Sequence, residues 1–149
     1  FERLCEKLGY EPVVFSAFQD TPDGRRPIYH TNVLMCMTDK YAVLCADAID
    51  NETERQYVLN KIEKSGKELL LISEAQKHQF GGNMLLVEGK HKSLHLVMSS
   101  SAYNSLSNDQ LNFIEKYHSI IHTDLTTIET LGGGSARCML AEIYLPKLV

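Results

Sequence analysis

The sequence predicts an α/β protein in which one unit, two strands followed by a helix and a third strand, recurs along a chain of 149 residues. Two hairpin-like pairs of apolar runs, at 28–46 and 84–98, are each followed by a helix signal and a short apolar run. The residues that open successive units, His30, Asn83 and Cys138, are 53 and 55 positions apart. Fixed periods of this length are typical of solenoids, propellers and other radial arrays.

The segment before the first complete unit begins with a predicted helix over residues 2–8, which is expected to end at Gly9. An apolar run at 12–18 predicts a strand. Residues 19–27 combine aspartates, a glycine and two prolines, and this composition is typical of a loop.

In the first complete unit, residues 28–37 and 41–46 are predicted strands joined by a short turn, as in a hairpin. A helix is expected to begin near Asn51, with Glu54 as its capping-box partner. Residues 69–72 form the predicted third strand of this unit.

The second unit repeats this order, with a predicted hairpin over 84–98, a helix that begins at Ser107 with Gln110 in the capping-box position, and a strand at 119–122. A third hairpin is predicted from 126–130 to 138–145. The chain therefore holds about two and a half to three units. Because so short an array leaves strand edges unpaired, we expect a further segment or another chain to complete it.

The composition argues against several classes of partner. With 15 Lys and Arg against 19 Asp and Glu, the net charge is -4, whereas nucleic-acid binding requires a basic surface. No apolar run approaches the ~18 residues of a membrane span. The four cysteines form no CxxC pair, which favours a reducing, cytoplasmic compartment. His and Cys do not fall at zinc-ligand spacing, and we expect no metal or other cofactor.

The strongest local motif is the run of three glycines at 132–134 that precedes Cys138. Glycines let the backbone approach a ligand closely. A thiol beyond such a loop, next to the cation of Arg137, suits a nucleophile, because a nearby positive charge favours the thiolate. The alternative is that the glycines form a flexible turn and that Cys138 is a core residue at the start of a strand.

His30 is the histidine best placed to serve as an acid or base, because it opens a unit as Asn83 and the Cys138 loop open theirs. If the units surround an axis, equivalent positions converge at one end, so that His30 and Cys138 meet. The alternative is a structural histidine. Asn83 either lines the same mouth or belongs to a tight turn before a strand.

Three segments of the sequence resemble the guanidino-modifying, or pentein, superfamily, and its bacterial amidinotransferase-related branch with the citrulline-utilisation hydrolases in particular. They are residues 28–36 around His30, residues 80–85 around Asn83, and residues 128–143 around Cys138. The resemblance implies a five-bladed α/β propeller of ββαβ units. It also implies that residues 1–149 are the C-terminal part of one such domain, about half of the array, with no separate second domain.

The same resemblance implies catalytic roles for Cys138 as nucleophile and His30 as acid/base, with a small guanidino or ureido amino acid as substrate. It implies that substrate contacts come from four further residues: Asn32, Asn83, Gly133 and Gly134. Cys138 would attack the guanidino or ureido carbon to form a covalent adduct, and His30 would protonate the departing amine and then assist water.

Two departures from the superfamily pattern bear on the substrate. Arginine deiminases usually carry an acid two positions after the catalytic histidine, and Asn32 stands there in this chain. Asn supplies no negative charge, which favours a neutral ureido group such as that of citrulline. The carboxylates that clamp the substrate nitrogens come from earlier blades in this superfamily, and we expect those blades or another chain to supply them. Amidino transfer to an amine and a non-catalytic binding module are the two alternatives to hydrolysis.

Overall fold

The computed structural model describes residues 1–142, which form helices and eight strands in three small sheets. The first segment contributes a helix and a two-stranded hairpin: α1 (Glu2–Leu8), β1 (Phe18–Thr21) and β2 (Gly24–Pro27). The first ββαβ unit consists of β3 (Met35–Met37), β4 (Tyr41–Leu44), α2 (Glu52–Lys64) and β5 (Glu68–Leu71), followed by the short helix α3 (Glu74–His78). The second consists of β6 (Leu85–Glu88), β7 (Leu94–Ser99), α4 (Ser100–Ser105), α5 (Asn108–Glu115) and β8 (Ser119–Thr123), followed by α6 (Thr126–Gly132).

The repeated unit predicted from the sequence is confirmed twice. In each three-stranded sheet the first two strands pair antiparallel, and the second pairs parallel with the third across a helical crossover. The middle strand of the first sheet, β4, is covered on both sides, and its four residues are fully buried. The three sheets are separate and open within residues 1–142.

One hydrophobic core joins the two units. Its largest fully buried side chains come from both units and from the segments just before them: Leu34, Tyr41, Leu44, Ile49, Met84, Leu96, Met98 and Ile114. Each such side chain contributes about 1.5–3 kcal/mol to folding. Because the core is shared, the loops that open the two units are held side by side.

Both predicted helix starts are observed, with one difference in capping. At α5, Ser107 and Gln110 form the expected reciprocal capping box. At α2, the Asn51 side chain accepts the Glu54 N–H, but the Glu54 carboxylate accepts the N–H of Ser16 instead of closing the box. The predicted capping box at Asn51 is therefore wrong, because Glu54 ties the N-terminal segment to α2.

The predicted strand at 12–18 and the predicted loop at 19–27 are both wrong. Residues 12–17 form no strand, whereas the predicted loop at 19–27 contains the hairpin β1–β2. The hairpin is anchored by Arg25, whose guanidinium pairs with Asp20, Asp50 and Glu74. These long-range ion pairs hold a turn-rich segment in a sheet that local propensity does not favour.

Two further strand predictions are corrected. Only the end of the run at 28–37 is a strand, because His30 caps a 3-10 turn at Thr31–Val33. The third predicted hairpin is wrong within the described residues. The Asp124 carboxylate accepts the Thr126 N–H at the start of helix α6, and Cys138 lies in a 3-10 turn at Ala136–Met139. Residues 143–145 of that prediction lie outside the described residues. None of the helices in residues 1–142 is long and apolar enough to cross a membrane.

Gly82 lies where the two units are in closest contact. A Cβ at this position would come within 2.6 Å of the Leu34 carbonyl carbon and 2.7 Å of the Val33 carbonyl oxygen. We predict that Gly82→Ala lowers the free energy of unfolding by about 1–3 kcal/mol, because backbone atoms would have to move. Urea denaturation measures it. In the control Gly132→Ala the nearest atom is 3.8 Å away, so its stability should be unchanged or slightly raised. Equal losses in both variants would contradict the close packing.

Candidate active site

A pocket of about 510 Å³ opens where the two units and the glycine loop meet. Six residues singled out in the sequence line it: His30, Asn32, Asn83, Gly133, Gly134 and Cys138. Convergence of these distant segments on one pocket is what the repeat predicted. Their chemical roles stay predictions. The sequence analysis missed other lining residues, among them Gln19, Lys77 and His78.

Asn83 is the residue that connects the walls of this pocket. It is 3% exposed, and its carboxamide nitrogen donates to the Asn32 carbonyl at 3.0 Å and to the Cys138 sulfur at 3.2 Å. Its carboxamide oxygen accepts the Arg137 N–H at 3.1 Å. One side chain thus ties the His30 segment and the Cys138 turn to the second unit. The same carboxamide oxygen lies 3.6 Å from the Cys138 sulfur, so the Asn83 side chain contacts the thiol through both of its polar atoms.

The turn before β6 sets the position of Asn83. The Asn83 N–H donates to the Phe80 carbonyl at 2.8 Å, in the tight turn predicted there. Phe80 ends α3 with a left-handed φ of 64°, a conformation that costs a non-glycine residue about 1–2 kcal/mol. The Lys77 carbonyl and the Gln76 carbonyl accept the N–H groups of Phe80 and Gly81. Backbone strain is thus held in place by a helix end at the pocket wall.

The glycine loop is anchored at its far side. The Glu129 carboxylate accepts hydrogen bonds from Ser135 at 2.6 Å and Ser101 at 2.7 Å, and both Glu129 and Ser135 are buried. At Gly134, a Cβ would lie 3.1 Å from the Cys138 sulfur, so only glycine leaves that sulfur room. The alternative of a core cysteine at the start of a strand is wrong, because Cys138 is exposed and lies in a 3-10 turn.

His30 is oriented by its own capping interaction. Its Nδ1 accepts the N–H of Asn32 at 3.1 Å, so the neutral ring carries its proton on Nε2. The ring is exposed and lines the pocket. A histidine in this tautomer has an N–H available to a substrate, and it reaches the pocket from the first unit.

The sequence suggested that the Arg137 cation lies next to the Cys138 thiol, but the contacts of its guanidinium are with other residues. Its guanidinium donates to the Met84 carbonyl at 3.4 Å and lies beside the buried thiol of Cys36. Burial raises the pKa of Cys36 to about 12, with Arg137 opposing the rise, and burial also raises the pKa of Cys45. These two thiols therefore stay protonated and unreactive.

The described lining of the pocket contains basic side chains and no acidic ones. Within residues 1–142, the lining includes Lys77, His78 and Arg137 but no carboxylate. In the same part of the chain, no cluster of three His, Cys, Asp or Glu side chains is arranged to hold a metal ion. The Lys77 ammonium is desolvated, and this burial lowers its pKa. The sequence signal nearest to Lys77 is the capping serine of α3, Ser73, which indicates a helix but not a pocket residue.

Comparison with known proteins identifies the family of the chain. Residues 1–145 match the family model described as eukaryotic N,N dimethylarginine dimethylhydrolase. The chain belongs to that family. The predicted relationship to the guanidino-modifying superfamily is confirmed, and the amidinotransferase-related branch within it stays a prediction. No curated protein gives a significant match.

A solved structure supports the fold of this dimethylarginine dimethylhydrolase family member. The match is to apo ArgZ, an arginine dihydrolase from the ornithine-ammonia cycle in cyanobacteria, with a TM-score of 0.57 and 16% sequence identity. It covers 80% of this chain but only 18% of that chain. At this identity the likeness concerns the fold alone.

The hydrogen bond from Asn83 to the sulfur leads to a test by charge. In Asn83→Asp the donor is replaced by a carboxylate, which disfavours a neighbouring thiolate. We predict that alkylation of Cys138 by iodoacetamide is then slower near neutral pH by about threefold or more, because the attacking sulfur lies beside a negative charge. The rate is measured by mass spectrometry between pH 5 and 10. The control Asn108→Asp adds the same charge at an exposed helix start that does not line the pocket. An unchanged profile in Asn83→Asp would contradict the contact.

Proposed function

We propose that this chain carries the nucleophile and the acid/base of a hydrolase that cleaves a guanidino or ureido C–N bond of an arginine-like or citrulline-like amino acid. The observation that carries the proposal is the exposed Cys138 thiol, which accepts the Asn83 amide N–H in a pocket that His30 also lines. The family of the chain, with dimethylarginine dimethylhydrolase as its description, supports guanidino chemistry.

The reaction divides a difficult displacement into two steps. The Cys138 thiolate adds to the guanidino or ureido carbon, and doubly protonated His30 donates its Nε2 proton to the departing amine as the C–N bond breaks, which leaves the ring neutral with its proton on Nδ1. This leaves a covalent S–C adduct. Neutral His30 then takes a proton from water, which attacks the adduct and releases the thiolate. A proton on Nδ1 cannot coexist with the capping contact to the Asn32 N–H, so this contact opens during turnover and forms again in the resting site.

The substrate clamp is the part of the site that the described residues do not supply. Carboxylates are absent from the pocket lining in residues 1–142, and Asn32 presents a neutral side chain. A guanidinium substrate thus needs carboxylates from a segment beyond these residues, whereas a ureido group does not. The family description favours a guanidinium, and hence a clamp from another part of the protein.

We infer that the two ββαβ units and the segment around Cys138 form the C-terminal part of a five-bladed propeller domain. Further blades of the same polypeptide or another chain would complete it. The open sheet edges and the exposed side chains of Leu131, Met139 and Leu140 near the pocket support this inference. Three buried free thiols, those of Cys5, Cys36 and Cys45, suit a reducing, cytoplasmic compartment.

Selective labelling tests the nucleophile. A chloroacetamidine reagent, which carries an amidinium like that of a substrate, is expected to label Cys138 at least about tenfold faster than any other cysteine. The other three thiols are buried, so peptide mass mapping of the full-length protein distinguishes them. Cys138→Ser is the control and should abolish the fast phase. Equal labelling of all four cysteines would contradict the assignment.

Turnover tests the reaction. The full-length protein should release an amine or ammonia from dimethylarginine, arginine or citrulline. We predict that Cys138→Ser lowers kcat by at least about a thousandfold and His30→Ala by about 100-fold or more. The exposed His91, in the turn Lys90–Lys92, provides a matched control, and His91→Ala should keep wild-type activity. Diversion of the product to an added amine acceptor would indicate a transferase instead.

A further inference from the structure

Lys77 is a buried cation in the wall of the candidate site. It lies in α3, is only 3% exposed and lines the same pocket as Cys138 and His30. Its ammonium has three N–H donors. A lysine at a protein surface normally extends its charge into water. Lys77 instead keeps its charge against the pocket.

The ammonium of Lys77 has weak compensation from the protein. It donates to the Gln19 carboxamide oxygen at 3.3 Å, a neutral acceptor at the long end of the hydrogen-bond range. It forms no salt bridge with any residue in 1–142. A buried charge without a counter-charge is unfavourable, and desolvation lowers the pKa of this group accordingly.

The nearest acids are already committed to another cation. Glu74, one turn before Lys77 in α3, pairs with Arg25 at 2.9 Å. The same guanidinium also pairs with Asp20, the residue after Gln19, and with Asp50. The β1–β2 hairpin thus places a neutral glutamine against Lys77 and an arginine against the surrounding carboxylates. This arrangement leaves Lys77 without a salt bridge among the described residues, although Glu74 and Asp20 attract its charge from a longer distance.

We propose that Lys77 forms the anion subsite of this pocket and binds the carboxylate of an amino-acid substrate whose guanidino or ureido end reaches Cys138. This inference rests on the proposed function and narrows it. Between these polar ends, an amino acid has an aliphatic chain, and the pocket also presents the apolar side chains of Val33, Phe80 and Leu140. The enzyme therefore selects substrates with a free carboxylate and disfavours their decarboxylated amines.

The first test compares substrate pairs that differ only in the carboxylate. Arginine is compared with agmatine, and citrulline with N-carbamoylputrescine, in the full-length protein. We expect Lys77→Met to lower kcat/KM for the amino acids by about 100-fold, because a buried charge pair is lost, and to change it for the amines by less than threefold. Lys77→Arg should retain part of the preference. An equal fall for both members of a pair, or no fall, would overturn the proposal.

The second test measures binding without turnover and separates this inference from the proposed reaction. In Cys138→Ala, calorimetric titration with arginine and citrulline should give an affinity that falls about 100-fold when Lys77→Met is added. Lys77-dependent binding supports the subsite even if no hydrolysis is found. No binding of either amino acid, or binding that does not depend on Lys77, overturns it. Competition by chloride or acetate alone at equal strength would show a general anion site and overturn the substrate assignment.

A second variant tests whether Lys77 has only a structural role. Gln19→Glu supplies the missing carboxylate at the acceptor position, so the internal ion pair should weaken amino-acid binding at least tenfold while the melting temperature stays the same or rises. Lys77→Met should also fold cooperatively, since it removes a buried charge. The matched control Gln56→Glu makes the same change at an exposed position of α2 outside the pocket and should leave amino-acid affinity within about threefold. Unchanged affinity in Gln19→Glu would overturn the proposal.

Discussion

The carboxamide of Asn83 is the contact on which the site depends, because it satisfies groups from both sides of the pocket with one buried side chain. It holds the Asn32 carbonyl, the Arg137 N–H and the Cys138 sulfur together. Asparagine is suited to this task, since it offers two donors and an acceptor in a small neutral group. An apolar residue would leave buried backbone groups unpaired at a cost of about 1–3 kcal/mol each.

The surroundings of Asn83 explain how Cys138, the proposed nucleophile, is both exposed and held by contacts on two sides. Gly82 allows the second unit to approach the backbone of the first, and Gly134 leaves room for the Cys138 sulfur. The Glu129 carboxylate holds the loop through two serine hydroxyls. The thiol is therefore exposed at the end of a hydrogen-bonded turn, and fixed positioning of this kind would favour its proposed role as a nucleophile.

Two cations in the first half of the chain, Arg25 and Lys77, have different partners. Arg25 uses its planar guanidinium to bind three carboxylates and fasten the β1–β2 hairpin. Lys77 is left with a neutral partner and faces the pocket. A lysine that carries its charge into a desolvated site suits a ligand anion, whereas the arginine network suits a permanent contact. Under the proposed function, a guanidinium substrate would need carboxylates from beyond residues 1–142, because none lines the pocket within them.

Local sequence determined much of this protein. Short-range preferences predict the hairpins at 35–44 and 85–99 and the helix starts at Asn51 and Ser107. The period that relates His30, Asn83 and Cys138 can also be read from the sequence. Tertiary structure decided what those preferences leave open. The β1–β2 hairpin depends on ion pairs between Arg25 and residues up to Glu74, and the direction of the Arg137 side chain depends on Met84 and Cys36. The burial of Lys77 is decided in the same way, because pairing and desolvation arise only when segments far apart in the chain pack together.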